Sequence, residues 1–188
     1  MTTRSGASGG SLSGGPGGDG PADFPHLDSR GNAHMVDVTG KDVSSRKAVA
    51  RLVVRMAPTS ARRLASGDLP AGDVLALARG AGLLAAKRTA HLLPLCHPLL
   101  LGETTVEIAV GEDQVEVTTT VEAEDRTGVE MEALTAASAA GLTIYAACAS
   151  FDRTLSIDDL AVVEKSGGRS GRWLRDADGA VHHDPAGH

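Results

Sequence analysis

The sequence of 188 residues contains few aromatic residues and few cysteines. Its aromatic residues are Phe24, Tyr145, Phe151 and Trp173. With so few rings, leucine, valine, isoleucine and alanine must build the core, and a base-stacking surface for single-stranded nucleic acid is excluded. Cys96 and Cys148 are too few for a disulfide framework or for a zinc site made mainly of thiolates, so a reducing compartment fits best.

Long apolar runs and an excess of positive charge are also missing. No uninterrupted apolar run approaches the roughly 20 residues that a membrane helix needs, and the N-terminus has no apolar segment of signal-peptide type. The formal net charge is −6 and the isoelectric point about 5.6, whereas a nucleic-acid-binding surface needs clustered lysine and arginine. We therefore predict a cytoplasmic protein with neither a membrane nor a nucleic acid as its partner.

A chain of this length has room for one domain of ordinary size. Residues 1–32 are dominated by glycine, serine and proline, which cannot bury enough apolar surface to offset chain entropy, so we predict a disordered tail. Residues 33–173 are predicted to form the folded domain, and 174–188 a polar, solvated C-terminal tail. Its neighbouring His182 and His183 lack further ligands nearby, so a metal site there is disfavoured.

The pattern of apolar residues predicts the order strand, helices, two strands, helix, strand. The expected elements are a strand at 46–56, a short helical turn at 60–66, a helix at 73–88, a hairpin of strands at 104–110 and 115–123, a helix ending near 150 and a strand at 155–163. Thr127 and Glu130 have the spacing of a capping box at the start of the long helix. This order predicts an α+β fold, with a ferredoxin-like antiparallel sheet and helices packed on one face.

The glycine-rich run KSGGRSG at 165–171 is a candidate anion site. Its glycines allow backbone N–H groups to close around a phosphate, while Lys165 and Arg169 supply positive charge. A flexible basic loop explains the run equally well. Lys87 lies at the end of the helix at 73–88. A cation there complements the negative end of the helix dipole, which explains Lys87 more simply than phosphate binding does.

A thiol and an imidazole lie between two prolines in the run PLCHP at 94–98. The prolines fix the backbone, so His97 could donate a hydrogen bond or carry a proton near neutral pH. Cys96 could equally be a small buried hydrophobe, and His97 could bond only to backbone. Glu130 and Glu132 also suggest acid–base chemistry, but residues two apart on a helix point to different faces, so at most one enters a given pocket.

Taken together, these segments resemble the cyclic pyranopterin monophosphate synthase family of molybdenum cofactor biosynthesis. The matching stretches are HMVDV at 34–38 with Lys41 and Arg46, GDV at 72–74, AAKRT at 85–89, LPLCHP at 93–98, TGVEMEALT at 127–135, LTIY at 142–145 and EKSGG at 164–168. They extend from about residue 33 to 173 in the order of the family. This combination is far more specific than any one of its motifs.

The resemblance implies a lyase that converts a cyclised dihydro-GTP, with its triphosphate, into cyclic pyranopterin monophosphate and pyrophosphate. It implies substrate-binding roles for Leu95, Cys96, His97, Met131 and Glu132. The phosphate-facing cations that it implies are Lys41, Arg46, Lys87 and Lys165. No cofactor or bound metal is expected, apart from Mg²⁺ that accompanies the triphosphate. The resemblance also implies a homohexamer, built as a trimer of dimers, with sites shared between subunits.

The sequence departs from the family where the family carries its catalytic groups. Ala146 stands in place of an aspartate that acts as acid or base, Ala149 in place of a lysine, and Ala71 in place of a lysine before Gly72. Of the residues able to move a proton, His97 remains a candidate. Three hypotheses follow: a synthase by descent, a catalytically impaired paralogue that binds a nucleotide-like ligand or assembles with an active relative, and an enzyme for a different nucleotide-derived substrate.

Overall fold

The computed structural model describes residues 26–28, 30–168 and 171–184. Most of the tail predicted to be disordered, and Arg169 of the glycine-rich run, lie outside these residues. Residues up to Gly40 form a unit of their own. In that unit the Asp28 carboxylate accepts hydrogen bonds from the backbone N–H groups of Arg30 and Asn32, at 2.9 and 2.8 Å.

The rest of the described chain is an α+β domain, as the sequence predicts. Its elements are β1 (Ser44–Arg55), α1 (Pro58–Ser66), α2 (Val74–Ala86), α3 (Thr89–Leu92), β2 (Thr104–Val110), β3 (Gln114–Asp125), α4 (Glu130–Cys148), β4 (Ser156–Ser166), β5 (Arg172–Arg175) and β6 (Val181–Asp184). The strands pair antiparallel in the order β2-β3-β1-β4-β5-β6. The first four strands have the ferredoxin-like order, which confirms the predicted fold.

The core lies between the sheet and the helices. Alternate residues of β1, among them Ala48, Ala50 and Leu52, are fully buried, and each lies opposite a buried residue of β3 in the antiparallel register. This period of two places one face of each strand against the helices, while residues such as Lys47 and Arg51 point to the other face. The alternating pattern of the sequence therefore fixes which face of the sheet carries the core.

The helices α2 and α4 pack against each other and run in opposite directions. Gly82 of α2 lies against Ala136 of α4, whereas Lys87, just past the end of α2, lines the same cavity as Glu132 near the start of α4. The start of α2 therefore lies at the same end of the helix layer as the end of α4. This arrangement decides which of the candidate site residues can meet within one chain.

The predicted capping box at the start of α4 is wrong. The helix begins at Glu130, and its N-cap residue is Val129, which makes no side-chain capping hydrogen bond. Glu130 instead forms an ion pair with Lys165 of β4. The local spacing of Thr127 and Glu130 favours a cap, but the sheet brings the Lys165 ammonium close to Glu130, and the carboxylate pairs with that cation.

The predicted C-terminal tail at 174–188 is also corrected, because β5 and β6 form a hairpin that extends the sheet beyond β4. Asp176 organises its turn: the carboxylate accepts the N–H groups of Asp178 and Ala180 at 3.0 and 2.9 Å and contacts His182 Nε2 at 2.7 Å. His182, on β6, thus bonds to the residue that organises the turn between β5 and β6. Lys165, expected in a loop, is the second-last residue of β4.

By length and composition alone, α4 is apolar enough to cross a membrane. Its buried residues, among them Ala133, Ala137, Ala140 and Ile144, belong instead to the core cluster of the domain. A helix that is apolar on most sides is expected when one side packs on a sheet and another on a second helix. We therefore describe α4 as a core helix.

Candidate functional site

A small cavity lies where α2 ends and α4 begins. Its volume is about 40 Å³, and its polar lining consists of Lys87, His91, His97 and Glu132, with the backbone of α3 beside them. Thr89 helps to shape it, because its buried hydroxyl donates a hydrogen bond to the carbonyl oxygen of Ala86 at 3.0 Å and so holds the end of α2 against α3. The cavity therefore combines a cation, two imidazoles and a carboxyl group.

Glu132 is the buried member of this group, with 4% of its surface exposed. Burial raises its pKa from 4.5 to about 7, and the neighbouring carboxylates of Glu130 and Asp125 act in the same direction. A carboxyl group with this pKa exists in both protonation states near neutral pH. It can therefore donate or accept a proton under physiological conditions, as the general acids and bases of enzymes do.

The loop that carries Leu95, Cys96 and His97 follows α3. The N–H of Cys96 donates to the carbonyl oxygen of Leu93 at 3.1 Å, which closes a tight turn before His97 enters the cavity. Burial raises the pKa of the Cys96 thiol, and the Glu132 carboxylate adds to the effect, so the neutral thiol is favoured over a nucleophilic thiolate. Leu95 is exposed, as is Met131 of α4.

The four cations that the resemblance assigns to phosphate are not all equivalent. Lys87 is exposed and lines the cavity. Lys165 is held by Glu130, and half-buried Arg46 donates from Nε and Nη2 to the carbonyl oxygens of Asp125 and Arg126, each at 3.1 Å. Lys41 precedes β1. The structure therefore gathers Lys87 with His97 and Glu132, and gives Arg46 and Lys165 internal partners.

The glycines after β4 leave room for the Arg46 guanidinium. A Cβ atom placed on Gly168 would overlap the Arg46 guanidinium, and Gly168 has a φ of +70°. A side chain at this position is therefore excluded both by space and by backbone conformation. The run KSGG thus has a packing role between the end of β4 and the start of β1, in addition to any role in binding an anion.

The three alanines that replace catalytic residues of the family lie away from the cavity. Ala71 precedes α2, while Ala146 and Ala149 lie at the end of α4, at the opposite end of the helix layer. Glu132 and Ala146 are 14 positions apart on α4, which is about 21 Å along a helix axis. Within one chain, these two groups of positions cannot surround the same small molecule.

Asp152, which follows α4, does not replace the missing acid. It is 5% exposed, and its carboxylate accepts hydrogen bonds from the backbone N–H of Ala57 and from the N–H and hydroxyl of Thr154, at 2.8, 2.8 and 2.6 Å. These hydrogen bonds, led by that from the Thr154 hydroxyl, hold its pKa far below the usual range. Asp152 therefore stays charged and ties the start of α1 to the end of α4.

Sequence reasoning missed Thr89 and His91 as parts of the site. Both lie on the four-residue helix α3, which turns the chain back toward α4 after α2 ends. Thr89 closes the matching stretch AAKRT, but nothing in that stretch indicates that its hydroxyl shapes a cavity, and His91 lies outside every matching stretch. A helix this short has no periodic pattern to reveal which side faces the cavity.

The fold and the cavity define an α+β domain of ferredoxin-like topology, with titratable groups at one end of its helix layer. A family model described as the MoaC family matches residues 35–168 of this chain. That match covers most of the chain and most of its described residues. The chain belongs to the MoaC family.

Individual relatives agree with the family match. A protein of Roseiflexus sp. named cyclic pyranopterin monophosphate synthase is 53% identical over 157 residues, which are 82% of this chain and 99% of the relative. A protein of Thermomicrobium roseum with the same name is 48% identical over 163 residues, which are 86% of this chain and 98% of the relative. Cyclic pyranopterin monophosphate synthase 2 of Mycobacterium tuberculosis is 49% identical over 153 residues, 81% and 92% of the two chains.

Proposed function

We propose that this chain is a cytoplasmic cyclic pyranopterin monophosphate synthase of molybdenum cofactor biosynthesis. It would act as a lyase that converts a cyclised dihydro-GTP into cyclic pyranopterin monophosphate and releases pyrophosphate. One observation carries the proposal: Lys87, His97 and Glu132 converge on a cavity in a chain about half identical to relatives of that name. The identity extends over nearly the whole length of each relative.

Each residue of the cavity has a role that its surroundings support. Glu132 exchanges a proton with the rearranging ring, because its pKa lies close to neutral. His97 orients the substrate by hydrogen bonding, and Lys87 neutralises charge on the phosphates as pyrophosphate leaves. Leu95, Cys96 and Met131 would form the rim of the binding surface. Any Mg²⁺ ion would arrive with the triphosphate, as part of the substrate.

A second copy of the chain would be needed to complete the site. The cavity of about 40 Å³ holds a few water molecules, whereas pockets for nucleotide-sized ligands are about 300–1,000 Å³. At the C-terminal end of α4, near Ala146, Leu142 and Tyr145 are exposed. They form an apolar surface suited to contact with another subunit. A homohexamer in which the two ends of neighbouring helix layers meet would enclose the substrate.

The alternative is a paralogue that binds a nucleotide-like ligand, acts on a different nucleotide-derived substrate, or forms mixed hexamers with an active relative. It rests on Ala71, Ala146 and Ala149, because a methyl group can neither transfer a proton nor stabilise a phosphate. The extent of identity with the named relatives favours the synthase. In a mixed hexamer, this chain would supply the end of the helix layer that carries His97 and Glu132, and the relative would supply the other end.

Turnover of the purified chain tests the proposal. The cyclised dihydro-GTP is supplied, pyrophosphate release is followed, and oligomeric state is measured by light scattering. We expect activity in the parent and a 10²–10⁴-fold lower rate for Glu132→Gln, the usual loss for a missing general acid. Glu124→Gln, at an exposed position on β3, is the matched control.

A further variant separates the two functions. Combined Ala71→Lys, Ala146→Asp and Ala149→Lys restores the charged groups that the family carries. An inactive parent that binds substrate, together with an active restored variant, would establish the impaired paralogue instead of the synthase.

A further inference from the structure

The basic side chains around the cavity differ from the other candidate cations in their partners. Arg46 donates to backbone carbonyl oxygens, and Lys165 belongs to an ion pair. Lys87, His91 and His97 line the cavity, and within the part of the chain that the structure describes none of their side chains forms a hydrogen bond or an ion pair. Three basic groups without partners around one cavity favour an anion as its ligand.

His91 lies on the open side of the cavity with Lys87. Both residues are exposed, whereas Glu132 is 4% exposed, so the two basic side chains border the solvent and the carboxyl group lies behind them. The backbone fixes the position of His91. Its N–H donates to the carbonyl oxygen of Arg88 at 2.9 Å, and the N–H of Arg88 donates to the carbonyl oxygen of Ala85 at 2.9 Å. These hydrogen bonds tie α3 to the end of α2 and hold His91 and Lys87 at one opening.

The fixed charge at this opening leaves a polyphosphate largely uncompensated. Among the described residues, the charged or titratable groups that line the cavity besides His91 are Lys87, His97 and Glu132, whereas the neighbouring Arg88 is outside the lining. Lys87 supplies one positive charge, and Glu132, with a pKa of about 7, supplies none or a negative one. Polyphosphates carry several negative charges near neutral pH. Imidazoles gain a positive charge in this pH range, and an adjacent anion favours their charged form.

We propose that His91 binds the pyrophosphate group of the substrate together with Lys87, and that it takes up a proton as the anion binds. This inference rests on the proposed function. The anion lies at the opening, because the cavity volume of about 40 Å³ is too small to enclose it. His97, which is half-buried, keeps the orienting role proposed above. Loss of the proton at alkaline pH weakens the contact and favours release of pyrophosphate.

The affinity for inorganic pyrophosphate at two pH values tests the inference. The full-length protein is titrated by calorimetry at pH 6 and at pH 8. His91→Asn is expected to weaken binding about 3- to 10-fold at pH 6, and by less than about twofold at pH 8. Lys87→Met is expected to weaken binding by similar factors at both pH values, because an ammonium group keeps its charge in this range. Comparison of two proteins at the same pH removes the titration of pyrophosphate itself.

A second variant and a control separate the charge of His91 from its shape. His91→Arg carries a charge that does not depend on pH in this range, so we expect affinity within about threefold of the parent at pH 6 and tighter binding than the parent at pH 8. His183→Asn, at an exposed histidine of β6, is the matched control and should bind as the parent does. Thermal unfolding checks each variant, and His91→Arg stays informative if His91→Asn does not fold.

Proton uptake gives a readout that a purely structural histidine would not change. Calorimetry at pH 7 in two buffers of different ionisation enthalpy gives the number of protons taken up when pyrophosphate binds. We expect this number to be smaller for His91→Asn than for the parent, and unchanged for His183→Asn.

Three results would overturn the inference. They are equal affinity of the parent and His91→Asn at pH 6, equal proton uptake by the two proteins, and absence of pyrophosphate binding to the parent. Turnover of the cyclised dihydro-GTP is measured separately. Turnover in a protein whose pyrophosphate binding ignores His91 would leave the synthase proposal standing, whereas binding that depends on His91 without turnover would reject the synthase alone.

Discussion

Gly82 of α2 packs directly against the backbone of α4 at Ala136. A methyl group placed on Gly82 would lie 3.0 Å from the carbonyl oxygen of Ala136 and 2.9 Å from Cγ2 of Val106, on β2. Because the helix backbone and the buried valine cannot easily move, the absence of a side chain at Gly82 sets how closely the two helices approach. The positions of Lys87 and Glu132 on either side of the cavity depend on this approach.

Replacement of Gly82 by alanine should therefore destabilise the protein. We expect Gly82→Ala to cost about 1–3 kcal/mol of unfolding free energy, the usual cost of overpacking a core. Gly80→Ala is the matched control, because Gly80 lies on the same helix with nothing within 4 Å of its Cβ position, and alanine there should stabilise by up to about 1 kcal/mol. Urea denaturation measures both. Equal effects would show that the helices are not in close contact.

The raised pKa of Glu132 predicts a pH dependence of stability. The folded state holds a proton on Glu132 up to a pH of about 7, whereas the unfolded chain releases it near 4.5. The stabilisation by the neutral acid is therefore complete below about pH 4.5 and is lost as pH rises to 7 and beyond, by up to about 3 kcal/mol.

Glu132→Gln should flatten this part of the profile, since glutamine resembles the neutral acid and does not titrate. Unfolding free energies at pH 5 and pH 8 for parent and variant measure the difference. The same slope in both proteins would mean that Glu132 ionises normally in the folded state.

The lowered pKa of Asp152 predicts a pH dependence of stability opposite in sign to that of Glu132, in the acid range. Its folded pKa lies far below that of the unfolded chain, so its stabilisation is present above about pH 4 and is lost as the pH falls below that value. Asp152→Asn should cost about 2–4 kcal/mol at pH 7, because the charged acceptor of three hydrogen bonds is removed. Thermal unfolding across the acid range, with exposed Asp68→Asn as control, measures both effects.

The ion pair between Glu130 and Lys165 should contribute about 1 kcal/mol of coupling energy. Both side chains are mostly buried. We therefore expect a stabilising energy between that of exposed pairs, which contribute little, and that of fully buried pairs. A double-mutant cycle with Glu130→Gln and Lys165→Met measures the coupling. A value indistinguishable from zero would contradict the geometry and would leave Lys165 available for a phosphate.

The regular part of the fold was predictable because its strands and helices bury one face each. The alternation in β2, for example, predicts Thr104–Val110, the bounds that the structure shows. The hairpin of β5 and β6 was not predictable in this way. Its strands bury too little apolar surface to produce an alternating pattern, and the Asp176 turn and backbone pairing hold it instead.

Some residues of the candidate site could be singled out from the sequence, but their arrangement could not. The motifs single out His97 and Glu132. The burial of Glu132, however, depends on the packing of α2 against α4, and local sequence does not predict such a tertiary contact. The prediction of a capping box at the start of α4 was wrong for a related reason. Its sequence satisfies a local capping rule, while the decisive partner of Glu130 is Lys165, 35 positions later in the chain.

The irregular geometry of β4 has a consequence for solubility. β4 pairs with β1 on one side but with β5 only at Glu164 and Lys165 on the other, so no strand of the described chain covers that side of residues 156–163. A long open strand edge can recruit strands from other molecules. Asp159 interrupts it with a φ of +56° and an exposed carboxylate, beside register shifts against β1. A foreign strand meets a bend and a charge where it would need a straight row of N–H and C=O groups. The bulge therefore protects this sheet from edge-to-edge aggregation.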